Sequence, residues 1–519
     1  MTQSFEPAVA RARRNTIADA FHRSALRNAE RPALIYADRV WRYDALDRAV
    51  DRVAARLIDA GLVAGDRIGA YGRNSDAYLI LWLACARAGL IHVPINYALV
   101  GRELKYIAEQ SGARALILDE ALAPKAREAL AVENFALFGS FCGGEAFDVL
   151  AIARDESFAP PPVAGPASDE DVAQLLYTSG TTASPKGAMM THRALLAEYE
   201  SCIVELALSG ADRALAALPL YHSAQMHVFT LPQLLLGAIT VLIEAPTPDL
   251  CLRLIEEHKI TSFFAPPTVW ISLLRAPDFD KRDLSSLKKV YYGASIMPVP
   301  VLQELRARLA GAEPYNCYGQ SEIGPLATVL RPEEHDARPA SCGRPVYNVE
   351  TRLVDAEMRD VAPGEQGELI HRSPQLMVGY WGKPEETREA FAGGWFHSGD
   401  VGVRDAEGFI TIVDRLKDVI KTGGSMVASR EVEEALFTHP AVSEVAVVGL
   451  PDPRWIEAVT AVVVLRAGAS ADEEALIAHA RESLAPFKLP KKVIFRADLP
   501  RNTAGKLLKR ELRDAYGEK

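Results

Sequence analysis

The sequence predicts an α/β protein with largely parallel sheets, followed by a smaller β-rich unit and a separate α+β domain. Three observations carry this reading. Helix-like and strand-like segments alternate as far as Leu150, the pattern changes after Gly343, and it changes again beyond Asp414. Taken in order, Ile17-Ala-Asp-Ala-Phe21 opens an amphipathic helix with Thr16 as its N-cap. Arg67–Tyr71 and His92–Ile95 read as short buried strands on either side of an apolar helix, Ala77–Ala88, an alternation that favours a parallel sheet. Residues 157–171 hold four prolines and read as an internal linker between subdomains. A second α/β block runs from Val172 to about Gly343, and its apolar run Val228–Ile243 reads as a buried helix followed by a strand. Glu368–Arg372 and Phe409–Val413 are expected strands of the β-rich unit. Arg430–Phe437 and Asp472–Leu484 (helices), with Val442–Gly449, Ala458–Leu465 and Lys492–Arg496 (strands), make up the last domain. The expected division is therefore 1–413 and 414–519.

Composition narrows the function. The chain has 519 residues, 58 Lys+Arg against 68 Asp+Glu, and a net charge of −10, which gives no reason to expect nucleic acid as a partner. The run Val228–Ile243 is interrupted by Pro232, Gln233 and Gly237 and falls short of the ~20 residues needed to span a bilayer, so no integral membrane segment is expected. The opening residues contain no apolar h-region, which argues against a secretory signal. Six cysteines without a CxxC pair fit neither a zinc site nor a disulfide framework. A cytoplasmic protein with reduced, mostly buried thiols is the expectation.

The strongest local signal is Tyr177-Thr-Ser-Gly-Thr-Thr-Ala-Ser-Pro-Lys-Gly187, placed after a strand and before a helix starting near His192. Such a loop offers backbone N–H groups, hydroxyls and the Lys186 charge to a polyphosphate, although a plain Ser/Thr-rich turn has the same composition. It is not a Walker A motif, because Lys186 is followed by Gly187. Further along come Leu218-Pro-Leu-Tyr-His222, Tyr292-Gly-Ala-Ser295, Tyr315-Asn-Cys-Tyr-Gly-Gln-Ser-Glu322 and Trp395-Phe-His-Ser-Gly-Asp400. Asp414-Arg-Leu-Lys-Asp-Val-Ile-Lys-Thr-Gly-Gly424 and Pro500-Arg-Asn-Thr-Ala-Gly-Lys506 complete the series. Glu322 beside Ser321 supplies the hard oxygens that Mg²⁺ prefers. Tyr318 next to Gly319 offers a flat face, and Gly293-Ala294-Ser295 is small enough to let a base approach.

In that order and over essentially the whole chain, these motifs resemble the adenylate-forming superfamily, and in particular its AMP-binding acyl-CoA synthetases. The resemblance implies a large multi-subdomain N-terminal domain, with parallel sheets and a small β-barrel-like unit, and a small mobile C-terminal domain. It implies ATP, a carboxylic acid and CoA as substrates, with Mg²⁺ as cofactor. By the same resemblance Thr178, Ser179, Gly180, Thr181, Thr182 and Lys186 hold phosphate. Gly293, Ala294, Ser295, Tyr318, Gly319 and Ser321 frame the adenosine, while Asp400 and Arg415 take the ribose. Glu322 is the metal ligand, Lys506 the catalytic cation, His222 a gating or positioning residue, and Asp414 the hinge. Lys421, Gly423 and Gly424 line the CoA channel. The chain departs from the usual pattern at Ala183, where glycine is common, and over Ser425–Glu431.

The expected acyl pocket is formed by Gln225, Met226, Phe229, Ile296, Gln320 and Ile323, with Leu326 nearby. This mostly apolar set favours a medium- or long-chain fatty acid over an aryl acid. The chain ends soon after Lys506 without an appended carrier domain, which favours CoA over a carrier protein as acceptor. A non-catalytic ATP- or acyl-binding relative is a reading of another class, and retention of Lys506, Glu322 and Asp400 argues against it. Oligomeric state stays open, a homodimer included, as does peripheral membrane association with a fatty substrate.

Overall fold

The structure is a computed structural model that describes residues 9, 12–163, 165–166, 168–178, 185–295, 297–415, 418–422, 425–501 and 507–517. Thr16 caps the helix Ile17–Arg27 in a reciprocal capping box with Asp19, as the sequence predicts. The apolar helix spans Asp76–Ala88, begins at a Ser75 cap and stops at Gly89, whose φ is 73°. It is apolar on all sides because it is enclosed on all sides: Tyr78 to Ala86 are at most 1% exposed.

Two sheets dominate. One has six strands in the spatial order Leu137–Ser140, Ala115–Leu118, Arg67–Tyr71, Ile91–Ile95, Val172–Thr178 and Lys186–Thr191, all parallel until the last pair. The proline-rich segment 157–171 therefore connects strands of a single sheet and does not separate subdomains. It is held down by Arg52 Nε donating to the Phe158 carbonyl and by Arg56 lying 3.9 Å from the Phe158 ring centroid. The second sheet has nine strands: Arg344–Pro345, Leu326–Leu330, Glu313–Gly319, Lys289–Gly293, Ser262–Phe264, Arg213–Ala216, Ile239–Leu242, Pro32–Tyr36 and Arg39–Arg42. Its last two strands come from the N-terminal segment, and Leu34 pairs with Thr240 in parallel register. The two sheets are thus interleaved in sequence.

The expected barrel-like unit is a four-stranded antiparallel sheet, Glu350–Val354, Gln366–Arg372, Phe396–Arg404 and Ile410–Arg415. A five-stranded sheet (Ser425–Val427, Ile420–Thr422, Ile456–Leu465, Val442–Asp452, Lys492–Arg496) follows, with the helices Ser429–Phe437, Glu473–Arg481 and Lys509–Tyr516. Among the described residues no helix is long and apolar enough to cross a membrane. Cys142 is exposed, and the other five cysteines are buried.

One stretch escaped the helix-then-strand expectation. Ahead of the short helix Leu231–Leu236, residues Ala224–Thr230 form a π-helix, a wide turn that recurs at functional sites.

Close backbone approach also decides residue identity. A Cβ on Gly319 would lie 1.7 Å from the Pro325 carbonyl oxygen, and one on Gly293 would lie 2.1 Å from that of Cys317. Both neighbours are main chain and have no room to yield. Gly319→Ala is expected to destabilise the fold by about 3 kcal/mol or more, read as a fall in the urea midpoint, because overpacking against backbone admits no side-chain escape.

Candidate active site

The phosphate-loop candidate sits in a different local setting from the strand–loop–helix expected. Val172–Thr178 and Lys186–Thr191 form an antiparallel hairpin in which Thr178 pairs with Lys186 across the mouth of the loop, and the helix begins only at His192. Ser179, Gly180, Thr181 and Thr182 lie outside the described residues.

A second segment completes this corner. Met377–Trp381 runs along the edge of the hairpin: Met189 N donates to the Gly379 carbonyl (2.9 Å), Val378 N to Met189 (3.0 Å) and Trp381 N to Gly187 (2.8 Å). Met377 N also donates to the carbonyl of Glu322 (2.8 Å). The Glu322 side chain, 9% exposed, accepts hydrogen bonds on Oε1 from Thr178 Oγ1 and from the Tyr380 hydroxyl, both at 3.1 Å. Lys186 Nζ stands 5.1 Å from the centroid of the Tyr380 ring. Burial, and then the Glu322 charge, push the Tyr380 hydroxyl above its ordinary pKa, so it stays a donor. Sequence reasoning missed Tyr380; its only signal is the Gly379-Tyr380-Trp381-Gly382 cluster just ahead of Pro384.

Among the described residues no group of three His, Cys, Asp or Glu side chains converges on a metal position. The Glu322 carboxylate and Thr178 hydroxyl are nevertheless hard oxygen donors side by side. That set fits Mg²⁺, which keeps several waters and takes further oxygens from substrate phosphates.

A second cluster lies one residue pair back along the same turn. Asp400, 3% exposed, pairs across the antiparallel strands with Arg415, whose Nε lies 3.2 Å from Oδ1. Oδ2 accepts from the Tyr318 hydroxyl (2.7 Å) and from Gln320 Nε2 (3.0 Å). Gln320 also donates to the Ser398 carbonyl at 2.8 Å. Its amide therefore sits in the Asp400 cluster. Burial first, then Asp400, raise the Tyr318 pKa. A carboxylate offers about four acceptor positions. With three donors already on Asp400, a pair of vicinal hydroxyls has to displace one of them.

Gly293 and Cys317 are register partners in parallel strands, so the ends of Lys289–Gly293 and Glu313–Gly319 lie together. Carboxyl ends of parallel strands are the usual ligand edge of such sheets. Ala294 turns there with φ at 61°, in the left-handed region that a residue with a Cβ seldom occupies without a local constraint, and it and Ser295 are exposed. His222 and Ser223 follow a turn pinned by Asn74, which receives Leu220 N (2.7 Å) and donates to the Leu218 carbonyl (2.8 Å). Ser223 Oγ meets Ser321 Oγ at 2.8 Å, bringing this turn against the Glu322 segment.

The apolar candidates are packed against other side chains. Gln225 accepts from Leu218 N (3.3 Å) and donates to Thr230 Oγ1 (3.2 Å), an internal tie of the π-helix. Met226 and Ile323 are fully buried. Phe229 stacks on Phe264 (centroids 4.5 Å, 20°) and tilts against Tyr291 at 4.9 Å, and Tyr291 meets Tyr315 at 5.1 Å. Nearby, Glu198 is wholly buried, accepts from Leu326 N at 3.2 Å and is driven by burial well above its usual pKa. A Cβ on Gly324 would meet its Oε2 at 2.7 Å. Lys421 is exposed, with its backbone N bonded to Glu457 (2.6 Å). Asp414 is 7% exposed and bonded to Ser429. Ile296, Gly423, Gly424 and Lys506 lie outside the described residues.

The fold and its clusters define a mixed α/β enzyme whose polar groups converge where parallel strands end. Residues 21–381 match the AMP-binding enzyme family, and residues 431–506 match its C-terminal domain. The chain is 38% identical over 496 residues to a feruloyl-CoA synthase of an Amycolatopsis species, covering 96% of each. It is 34% identical to a long-chain-fatty-acid–CoA ligase of Bacillus subtilis, covering 94% of this chain and 92% of that one. Among solved structures, the anthranilate CoA ligase AuaEII in complex with anthranoyl-AMP superposes with a TM-score of 0.90 at 27% identity, over 97% and 98% of the two chains. The chain belongs to the AMP-binding, adenylate-forming family and, within it, to the AMP-forming acid–CoA ligases.

One buried network braces the π-helix. His227 Nε2 lies 2.7 Å from Gln174 Oε1, Gln174 Nε2 lies 3.0 Å from His92 Nδ1, and the Tyr199 hydroxyl lies 2.8 Å from His227 Nδ1. With Gln174 accepting at its oxygen, His227 carries its proton on Nε2 and receives the tyrosine hydrogen on Nδ1, while His92 accepts on Nδ1. Both rings are therefore neutral, and burial lowers both pKa values to about 3. These values lie below the unfolded value of about 6.5, so the unfolded chain binds more protons. Stability is full above pH 6.5 and lost as pH falls towards 3, at about 1.4 kcal/mol per unit per histidine. The melting temperature is expected to drop between pH 7 and pH 5, and His227→Gln is expected to flatten that slope in a calorimetric pH series.

Proposed function

We propose that the enzyme activates a compact aromatic acid in two steps, with residues 1–413 as the adenylating domain and 414–519 as the mobile unit carrying Lys506, and that it works in the cytoplasm. The substrate assignment rests on one observation: Phe229 is held in a buried aromatic group with Phe264, Tyr291 and Tyr315. The sequence reading took its fatty-acid preference from the apolar character of this set. A long alkyl chain, however, needs a continuous tunnel, which means displacing several packed rings, whereas a single ring needs a shorter opening beside them and displaces fewer. The similarity to a feruloyl-CoA synthase supports this reading. The similarity to a long-chain-fatty-acid–CoA ligase keeps the fatty acid as the second reading.

In the first step a carboxylate oxygen of the acid attacks the α-phosphorus of ATP. The bond to the bridging oxygen breaks, leaving acyl-adenylate and pyrophosphate. Thr178 and Lys186 face the phosphates, Tyr318 and Ala294 the base, and Asp400 with Arg415 the ribose. Glu322, with Thr178, would hold Mg²⁺, which when bound neutralises phosphate charge. Lys506 offsets the negative charge that gathers as one anion attacks another. In the second step the CoA thiol, entering past Lys421, Gly423 and Gly424, attacks the acyl carbon, and AMP leaves.

The test is mass spectrometry of products with ATP, Mg²⁺, CoA and a panel of C4–C18 fatty acids and benzoate- and cinnamate-type acids. Aryl-CoA products are expected; fatty acyl-CoA alone overturns the substrate while leaving the chemistry. Lys506→Ala is expected to slow acyl-adenylate formation about 10²–10³-fold with ATP binding retained in calorimetric titration. Unchanged adenylation in that variant removes Lys506 from its role.

A further inference from the structure

The last helix begins at Lys509, three residues after Lys506, and this side chain reaches the candidate hinge. Its ammonium lies 2.8 Å from Glu433 Oε1 and donates to Ser429 Oγ. Ser429 in turn donates twice to Asp414 Oδ2, from its hydroxyl at 2.6 Å and from its backbone N at 2.7 Å. Glu433 also receives Val447 N at 2.8 Å, which fixes the acceptor to the strand Val442–Asp452 of the C-terminal sheet. Burial works against the Lys509 charge, but Glu433 and Asp414 more than offset it and hold the ammonium above its ordinary pKa.

The placement matters because one end of this relay is the proposed pivot itself, at the boundary between the four-stranded sheet and the C-terminal unit. Asp414 is paired with Val401 in the four-stranded sheet. Ser429, Glu433 and Lys509 all belong to the C-terminal unit. Just ahead of Lys509, Leu508 N donates to the Pro500 carbonyl (2.9 Å), and Arg501 bridges to Leu507, which closes the base of the segment that holds Lys506. Any turn of the backbone at Asp414 moves its carboxylate relative to Ser429 and breaks the relay. Arg430 adds a bond to the Ile412 carbonyl, and Arg513 one to Asp418, on either side of the same point.

We infer that Lys509 is a positioning residue for the two-step reaction, acting through Ser429 and Asp414 to latch the C-terminal unit in one of its two working orientations. This rests on the acid–CoA ligase reading with Asp414 as pivot. Loss of the latch lowers the population of that orientation, so one half-reaction changes relative to the other. A lysine that served only to stabilise the fold would scale both half-reactions together.

The experiment measures the half-reactions separately in the full-length enzyme: pyrophosphate release without CoA in a single turnover, and thioester formation on adding CoA to enzyme-bound acyl-adenylate. Lys509→Met leaves Glu433 without its cation, so Lys509→Met with Glu433→Gln is measured alongside as a variant that removes both charges. The ratio of the two rates is expected to shift on the order of tenfold in both variants, as loss of a buried charge pair typically allows, and to return in Lys509→Arg. Equal changes in both half-reactions, or an unmoved ratio, overturn the latch while leaving the ligase reading intact. Wild-type enzyme that makes no acyl-adenylate from any acid of the panel overturns the ligase reading and the latch with it.

Discussion

The site depends on how the turn Gln320–Ile323 is held from beneath. Gln375 does this with one fully buried amide: Nε2 donates to the carbonyls of Ile323 (2.8 Å) and Leu326 (2.7 Å), and Oε1 accepts from Ser201 (2.8 Å). A buried amide with all these groups satisfied strengthens and fixes the geometry around it, whereas a partly satisfied one would be costly. Because the turn is anchored there, Gln320 can face Asp400 while Glu322, two residues on, faces Thr178 and Tyr380. The Asp400 cluster and the Glu322 cluster are two sides of a single short turn. Their spacing is set by backbone geometry, which is stiffer than any side chain.

The same region concentrates polar groups that a core would otherwise exclude. Glu198, His92 and His227 are all buried, and burial disfavours the charged form of each. Glu198 lies on the helix that packs against the π-helix, His227 lies on the π-helix itself, and His92 is joined to His227 through Gln174. A purely apolar filling would leave those irregular backbones free to slip, since dispersion contacts have no direction. Hydrogen bonds do, and the network selects one arrangement at the cost of sensitivity to acid.

Much of this was legible in the sequence, and the limits have physical causes. Strand Arg67–Tyr71, strand Lys492–Arg496 and the Thr16 cap follow local rules and were read at their observed bounds. Glu322, Asp400 and Lys186 stood out because an ordered set of motifs carries them. Gln375 and Tyr380 did not, since their partners are distant in sequence and their segment has neither periodicity nor charge. The hairpin after Thr178 was read as a loop leading to a helix because Lys186–Thr191 is short and begins with lysine and glycine, poor strand formers. The apolar residues Met226, Phe229 and Ile323 were recognised by type, but type does not reveal whether a side chain lines a void or fills one.

The interleaving of the two large sheets bears on how the chain folds during synthesis. The strand Pro32–Tyr36 finds its parallel neighbour only at Ile239–Leu242. At translation rates of about 5–20 residues per second, the early hairpin waits on the order of 10–40 s for that partner to leave the ribosome. Through that interval the edge of Pro32–Tyr36 that faces Ile239–Leu242 has no native cover, and the closing contact joins residues about 200 apart in the chain. Folding is therefore governed by the completion of a long loop, and the nascent N-terminal third is the part of the chain most in need of chaperone protection.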